Sequence, residues 1–317
     1  MRVSVHDLKA ATREPPRRVV FRVRRYDPVE GRVWWSEYEV KCRRGMTVLD
    51  ALLEIKACQD HTLALRYSCR MGICGSCGMI INGVPRLACQ TQVAEIASRE
   101  GEVVTIEPLY NLPVIRDLVV DYKVLIDKLR IVKPYLIRRD LSERENPVNQ
   151  YLMTPREHLM IYEFTLCINC GLCYAACPVT ASDPEYLGPQ ALTYTARYIL
   201  DVRDEGVRER IEAVDTEHGC HRCHYAGSCS LVCPKVVDPA QAIQRLRGIV
   251  FRYRLGLWGK KTSKPASKPV VSKPRISLPK EAVLIEGVSL EELEEKPVTL
   301  EVSGKKLVFY GKRVFPK

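Results

Sequence analysis

The sequence of 317 residues holds no run of 18 or more apolar residues, so it predicts no transmembrane helix. The first twenty residues, Met1 to Val20, are polar and charged. Arg17-Arg18 is not followed by the apolar stretch that a twin-arginine signal requires, so the segment reads as a charged lead-in to a first strand. The expectation is a cytoplasmic location, where thiols stay reduced. Between Lys260 and Lys280 there is no acidic residue among seven basic ones, and this stretch carries most of the net charge of +11. The remainder is close to balanced and has no recognised nucleic-acid motif, so nucleic acid is excluded as a partner. An anionic membrane surface or an acidic protein fits the charge better. No constellation of general acid, base or nucleophile is evident. Aromatic residues are few, with five Phe and three Trp, yet 46% of the chain is hydrophobic, enough to bury a core. The length predicts two domains with an appendage.

The abundant residue is cysteine. Fourteen far exceed the needs of an ordinary intracellular enzyme and imply either disulfides or metal ligation. Around them, Val19 to Arg25 and Arg32 to Cys42 read as strands about a turn at Asp27-Pro28. Thr47 caps a following helix, with Asp50 completing a capping box and Val48, Leu49, Leu52, Leu53 and Ile55 as its apolar stripe. Gly78 to Asn82 and Pro85 to Cys89 read as a hairpin about Asn82-Gly83, and Val103 to Glu107 as a last strand. A small mixed sheet crossed by one helix and carrying a cysteine loop fits a plant-ferredoxin-like β-grasp domain.

From Pro113 the pattern is helical: Arg116 to Leu129, Arg156 to Phe164, Pro189 to Val202, Gly206 to Val214, and Pro239 to Tyr253 behind Asp238 as N-cap. Lys260 to Pro279 alternates Lys, Ser and Pro as an extended linker. Val298 to Val302 and Lys306 to Tyr310 predict a hairpin about Ser303-Gly304. The fold class is α+β: a β-grasp domain over 1–112, an α-helical, bacterial-type ferredoxin domain over 113–258, a basic linker over 259–280 and a small extension over 281–317.

Cysteine spacing decides between disulfides and metal. Cys69, Cys74, Cys77 and Cys89 read C-x4-C-x2-C-x11-C, and the first three have the plant-type [2Fe–2S] spacing. Gly72, Gly75 and Gly78 let the loop backbone approach a cluster, and Cys89 is expected to enter from the next strand. Cys167, Cys170, Cys173 and Cys177, followed by Pro178, form the bacterial run C-x2-C-x2-C-x3-C-P, whose fourth cysteine ligates the other cluster of a two-cluster protein. Cys223, Cys229, Cys233 and Pro234 repeat that run with Ala226 where its second cysteine would stand. If the fourth cysteines cross over, Cys167, Cys170, Cys173 and Cys233 hold a [4Fe–4S] cluster, and Cys177, Cys223 and Cys229 hold a three-ligand [3Fe–4S] cluster. Two alternatives stand beside this: Cys220 supplies a fourth ligand to the latter, or the His218–His224 patch binds zinc. Cys42 and Cys58 fall outside every motif.

With these motifs quoted, the sequence resembles the iron–sulfur subunits of succinate dehydrogenase and fumarate reductase. The resemblance rests on Ser68-Cys-Arg-Met-Gly-Ile-Cys-Gly-Ser-Cys77, Pro113-Val-Ile-Arg-Asp-Leu-Val-Val-Asp121, Cys167-Ile-Asn-Cys-Gly-Leu-Cys-Tyr-Ala-Ala-Cys-Pro178 and Cys229-Ser-Leu-Val-Cys-Pro-Lys235, and spans about residues 18 to 255. It implies a flavoprotein partner with FAD, membrane-anchor subunits, a quinone beside the third cluster, and a peripheral place on the cytoplasmic face of the cell membrane. It also implies quinone-proximal roles for Pro178, His224, Arg247 and Gln244. A soluble fumarate reductase subunit and a stand-alone ferredoxin-like carrier are the competing readings. The soluble type carries an added Cys-Cys-Gly domain; here no two cysteines are adjacent and none follows Cys233.

Overall fold

A computed structural model describes residues 14–140, 145 and 150–259, and the backbone of 298–302, 305–310 and 313–316. The predicted linker lies outside the described residues.

Strand β1 (Arg18–Asp27) pairs antiparallel with β2 (Arg32–Lys41) about the predicted turn. Its alternation sends Val19, Phe21 and Val23 inward, and all three are fully buried. Arg25 falls on the same inward face, so its charge needs partners inside. Asp117 accepts from Nε at 2.9 Å, Tyr38 and Thr62 bind the other guanidinium nitrogens at 2.7 and 3.0 Å, and Asp60 completes the ion pair. Helix α1 (Val48–Cys58) starts at Thr47, whose hydroxyl and Asp50 form the reciprocal capping box, and buries Val48, Leu49, Leu52 and Ile55 against the sheet. Strands β3 (Gly78–Ile81) and β4 (Val84–Leu87) form the hairpin about Asn82-Gly83. A single turn, α2 (Val93–Ile96), precedes β5 (Glu102–Glu107). Strand β5 runs parallel to β1 and antiparallel to β3, giving the order β2-β1-β5-β3-β4.

The helix expected from Arg116 is shorter than its apolar pattern suggests. Strands β6 (Val114–Arg116) and β7 (Val119–Val120) form a small ribbon first, and α3 covers only Lys123–Ile131. Asp117 explains the break. It adopts left-handed φ of 47° and turns its carboxylate inward, where Tyr26 N, Ala64 N and Arg25 all donate to it. Three long-range donors outweigh helix propensity.

The second region is helical. Helix α4 (Pro155–Thr165) opens on a capping box of Thr154 and Glu157. The short turns α5 (Leu172–Ala175) and α6 (Pro178–Ser182) lie within and just after the first bacterial-type run. Helix α7 (Gly188–Leu200) is buried almost all round, because α3, α4, α8 (Val207–Val214) and the helix that starts at Pro239 pack against it. A turn, α9 (Ser228–Leu231), leads to α10 (Pro239–Arg254), which begins with Asp238 accepting from Gln241 N. Arg210 and Asp204 form a fully buried pair, 2.7 Å apart. Arg210 also donates to the carbonyls of Lys133, Tyr135 and Gly206, so its remaining N–H groups are largely satisfied. The two cores are not separate modules: Leu172, Tyr174 and Ala175 of α5 belong to the core under the sheet.

By itself, the C-terminal unit Val270–Lys317 carries a three-stranded antiparallel sheet, β8 (Val298–Val302), β9 (Lys305–Tyr310) and β10 (Arg313–Pro316), one strand more than the predicted hairpin. No helix among the described residues is long and apolar enough to cross a membrane.

Candidate iron–sulfur centres

The first cysteine loop hangs between two anchored ends. Upstream, Asp60 accepts from Thr62 N at 2.9 Å and Asp117 from Ala64 N at 2.8 Å, fixing the lead-in. Downstream, the loop runs into β3. Left-handed φ at Arg70, Gly72 and Gly75 curls the backbone so that its N–H groups point at sulfur. Cys69 Sγ accepts from Cys74 N at 3.2 Å, Ile73 N at 3.3 Å and Met71 N at 3.5 Å. These N–H groups, Met71's first, bring the Cys69 thiol down to about 6. Cys77 is buried and accepts from Cys89 N at 3.5 Å; burial pushes its thiol up to about 12, and Cys89 and Cys74 add repulsion. Cys69 N in turn donates to Cys74 Sγ. The structure therefore brings all four thiols together, with amide donors already aimed at them. Cys89 enters from a turn two residues beyond β4 rather than from the strand itself. Backbone donors around four converging thiols suit a sulfur-rich, anionic [2Fe–2S] cluster.

The other two sets face two separate cavities. Cys167, Cys170, Cys173 and Cys233 line the first, beside Gln190 and Thr193. Its lip is shaped by left-handed Asn169 and Gly171, and Asn169 Oδ1 accepts from Gln190 Nε2 at 2.6 Å. Burial pushes the Cys170 thiol up to about 12 and Cys173 well above the ordinary thiol range; neighbouring members of the set add repulsion. Four thiolates in such a place need bound cations to offset their charge, which iron supplies.

Cys177, Cys223 and Cys229 line the second cavity, with Pro178, His224, Tyr186 and Ala226. Burial raises Cys229 to about 11, and Cys177 and Cys223 act on it as neighbours. Cys177 thus faces the later cysteines and Cys233 faces the earlier ones. Ala226 borders the cavity with only a methyl group.

Pro178 and His224 stand at the second cavity, but Gln244 and Arg247 do not line it. Arg247 Nη1 donates to Cys223 O at 3.4 Å, and Gln244 Nε2 is buried with no hydrogen-bond partner among the described residues. Cys220 is fully buried in the helical core and lines neither cavity. The His-rich patch is committed elsewhere: His218 bridges Asp183 and Glu185 at 2.9 and 2.8 Å, and His221 pairs with Asp215 at 3.4 Å. Neither histidine belongs to a group of three His, Cys, Asp or Glu arranged about a single ion among the described residues.

Three supporting residues carry no motif of their own. Asn111, at left-handed φ of 62°, donates its Nδ2 to the carbonyls of Tyr174 and Ala175 at 3.2 Å each. Tyr122 Oη donates to Cys170 O at 3.1 Å. Tyr186 is fully buried against the second cavity. The one sequence signal that Asn111 offers is its residue type, since Asn tolerates left-handed backbone.

Two domain families match the chain. A 2Fe-2S iron-sulfur cluster binding domain matches residues 20–127, and a 4Fe-4S dicluster domain matches residues 163–237. The fumarate reductase iron-sulfur subunit of Mycobacterium tuberculosis is 48% identical over 233 residues, covering 73% of this chain and 92% of that relative. This chain belongs to the fumarate reductase and succinate dehydrogenase iron–sulfur subunit family. The succinate dehydrogenase iron-sulfur subunit of Coxiella burnetii is 34% identical over 233 residues, covering 72% of this chain and 95% of that relative. Among solved structures, a chain of the Mycobacterium smegmatis Sdh1 complex in the apo form superposes with a TM-score of 0.68 at 30% identity, covering 76% of this chain and 98% of that one. As a member of this family, the chain is an electron-carrying oxidoreductase subunit of a multi-subunit complex. The C-terminal unit lies beyond both domain matches.

Proposed function

We propose that the chain relays single electrons between the FAD of a flavoprotein subunit and a membrane quinone. Cys69, Cys74, Cys77 and Cys89 would hold [2Fe–2S]; Cys167, Cys170, Cys173 and Cys233 would hold [4Fe–4S]; Cys177, Cys223 and Cys229 would hold [3Fe–4S]. The observation that carries the reading is the exchange of Cys177 and Cys233 between the two cavities, which leaves one set with four thiols and the other with three. When bound, the clusters supply the one-electron chemistry that joins a two-electron flavin to a two-electron quinone.

The chain's own residues hold the sulfurs, exclude water and shape the two ends of the route. Tyr225, which lines the third set's cavity, and Leu231 and Val236, close in sequence to Cys229 and Cys233, are 59, 87 and 79% exposed. Such exposed apolar side chains suit membrane-anchor subunits and a peripheral position at the cytoplasmic face of the membrane. Around the first loop, Met71 and Ile73 are likewise exposed, a surface suited to the flavoprotein. Arg247, on α10 next to Cys223 O, supplies a cation toward reduced quinone, and Pro178 and His224 form the nearby wall.

Anaerobic isolation of the native complex with electron paramagnetic resonance tests the assignment. A [3Fe–4S] signal is expected in the oxidised sample and a [2Fe–2S] signal on reduction. Absence of the [3Fe–4S] signal would overturn the three-ligand assignment.

A further inference from the structure

We propose that Gly75 and Tyr122 are positioning residues that set the gap across which electrons pass from the first cysteine set to the second; this rests on the cluster assignment above. Gly75 lies between Cys74 and Cys77 at φ +72°. A methyl group built on it would stand 2.8 Å from Cys170 Cβ, 2.9 Å from Cys170 Cα and 3.3 Å from Ile168 O. None of those atoms can swing aside as a side-chain tip can. On the far side of Cys77, a methyl at Gly78 would stand 3.3 Å from Cys170 O. The first loop thus lies directly on Cys170, a member of the second set, with no side chain between.

Tyr122 holds Cys170 from another direction. Its hydroxyl donates to Cys170 O at 3.1 Å, and Arg66 stacks over its ring at 5.2 Å. Cys170 is therefore fixed at two points: its Cβ by the absent side chain of Gly75, and its carbonyl by Tyr122. Gly72 shows that this is not a general property of the loop. It shares the left-handed backbone at φ +68°, yet the atoms nearest a methyl there are the terminal amide of Gln90, the far end of a flexible side chain.

The test uses the whole complex and reads the magnetic interaction between the reduced first and second clusters, as spin-relaxation enhancement of the [2Fe–2S] signal, together with intercluster electron-transfer rates after rapid reduction. In Gly75→Ala, molecules that carry both clusters should lose much of the enhancement and pass electrons more slowly, as the added methyl forces the loops apart. Tyr122→Phe should give a smaller loss in the same direction. Gly83→Ala carries the same left-handed backbone strain, at the β3–β4 hairpin with nothing within 4 Å of the added methyl, and should leave the interaction intact in loaded molecules. An unchanged interaction in loaded Gly75→Ala, or an equal loss in Gly83→Ala, would overturn the proposal. If Gly75→Ala fails to load, the Tyr122→Phe result decides: an unchanged interaction and rate there would overturn it. Failure of the underlying assignment is distinguishable, because the unmutated complex would then lack the [2Fe–2S] or [4Fe–4S] spectrum altogether.

Discussion

The sheet region and the helical region use the same stabilising devices but display their cysteines in opposite ways. Each has a threonine capping box, Thr47 with Asp50 and Thr154 with Glu157. Each has a buried arginine–aspartate pair, Arg25 with Asp117 and Arg210 with Asp204. In the sheet region, the loop meets its first sulfur near the surface with backbone N–H groups, and Cys69 is brought down to about 6. In the helical region, the thiols are withdrawn into apolar surroundings, and Cys170 is pushed up to about 12. The first site thus mixes one amide-stabilised thiol, Cys69, with a buried one, Cys77, whereas Cys170 and Cys173 of the second site are both raised by burial.

The sharpest way to break this comparison is to delete a ligand from each region. Cys74→Ser is expected to remove the [2Fe–2S] spectrum while leaving the helical clusters bound. Cys173→Ser should remove the [4Fe–4S] cluster and lower the stability of the helical region, because the remaining buried thiols lose their counter-charge. Iron and sulfide analysis with paramagnetic resonance reads both. Ala226→Cys should convert the [3Fe–4S] spectrum into a second [4Fe–4S] spectrum, by restoring the missing thiol at the second cavity.

The buried pairs come next. Arg25→Ala and Arg210→Ala each strand a buried carboxylate, and each should cost about 3–5 kcal/mol in denaturant unfolding of the complex-free chain. Alkylation sharpens the thiol contrast in the iron-free chain. Thiolate is the reacting form, so Cys69 should react quickly with iodoacetamide above about pH 6 and slow as pH falls through that value. Cys170 stays protonated over that range and should react only after denaturation. Peptide mapping by mass spectrometry measures the order. The smallest effect is at the caps: Thr47→Ala and Thr154→Ala should each cost about 1 kcal/mol.

Cysteine spacing made the three sets legible, because ligation constrains sequence distance directly. The Thr47 and Asp238 caps were equally legible, since capping is local chemistry. The ribbon before α3 was not, because it depends on donors to Asp117 from Arg25, Tyr26 and Ala64, far away in sequence. Asn111 and Tyr122 were missed for the same reason: each acts on a backbone carbonyl some fifty or more positions along the chain. Of the residues expected near quinone, Pro178 and His224 line the second cavity and Gln244 and Arg247 do not.

The placement of Leu172, Tyr174 and Ala175 in the core beneath the sheet has a consequence for biogenesis. During synthesis the five strands and α1 emerge well before residue 175, yet the part of their core that Leu172, Tyr174 and Ala175 fill stays open until α5 is made and docked. The nascent sheet, already covered in part by α1, waits for its last core residues, and the segment that brings them is the one flanked by Cys170 and Cys177. Closure of the first half and presentation of ligands for the second half are therefore a single event on the growing chain.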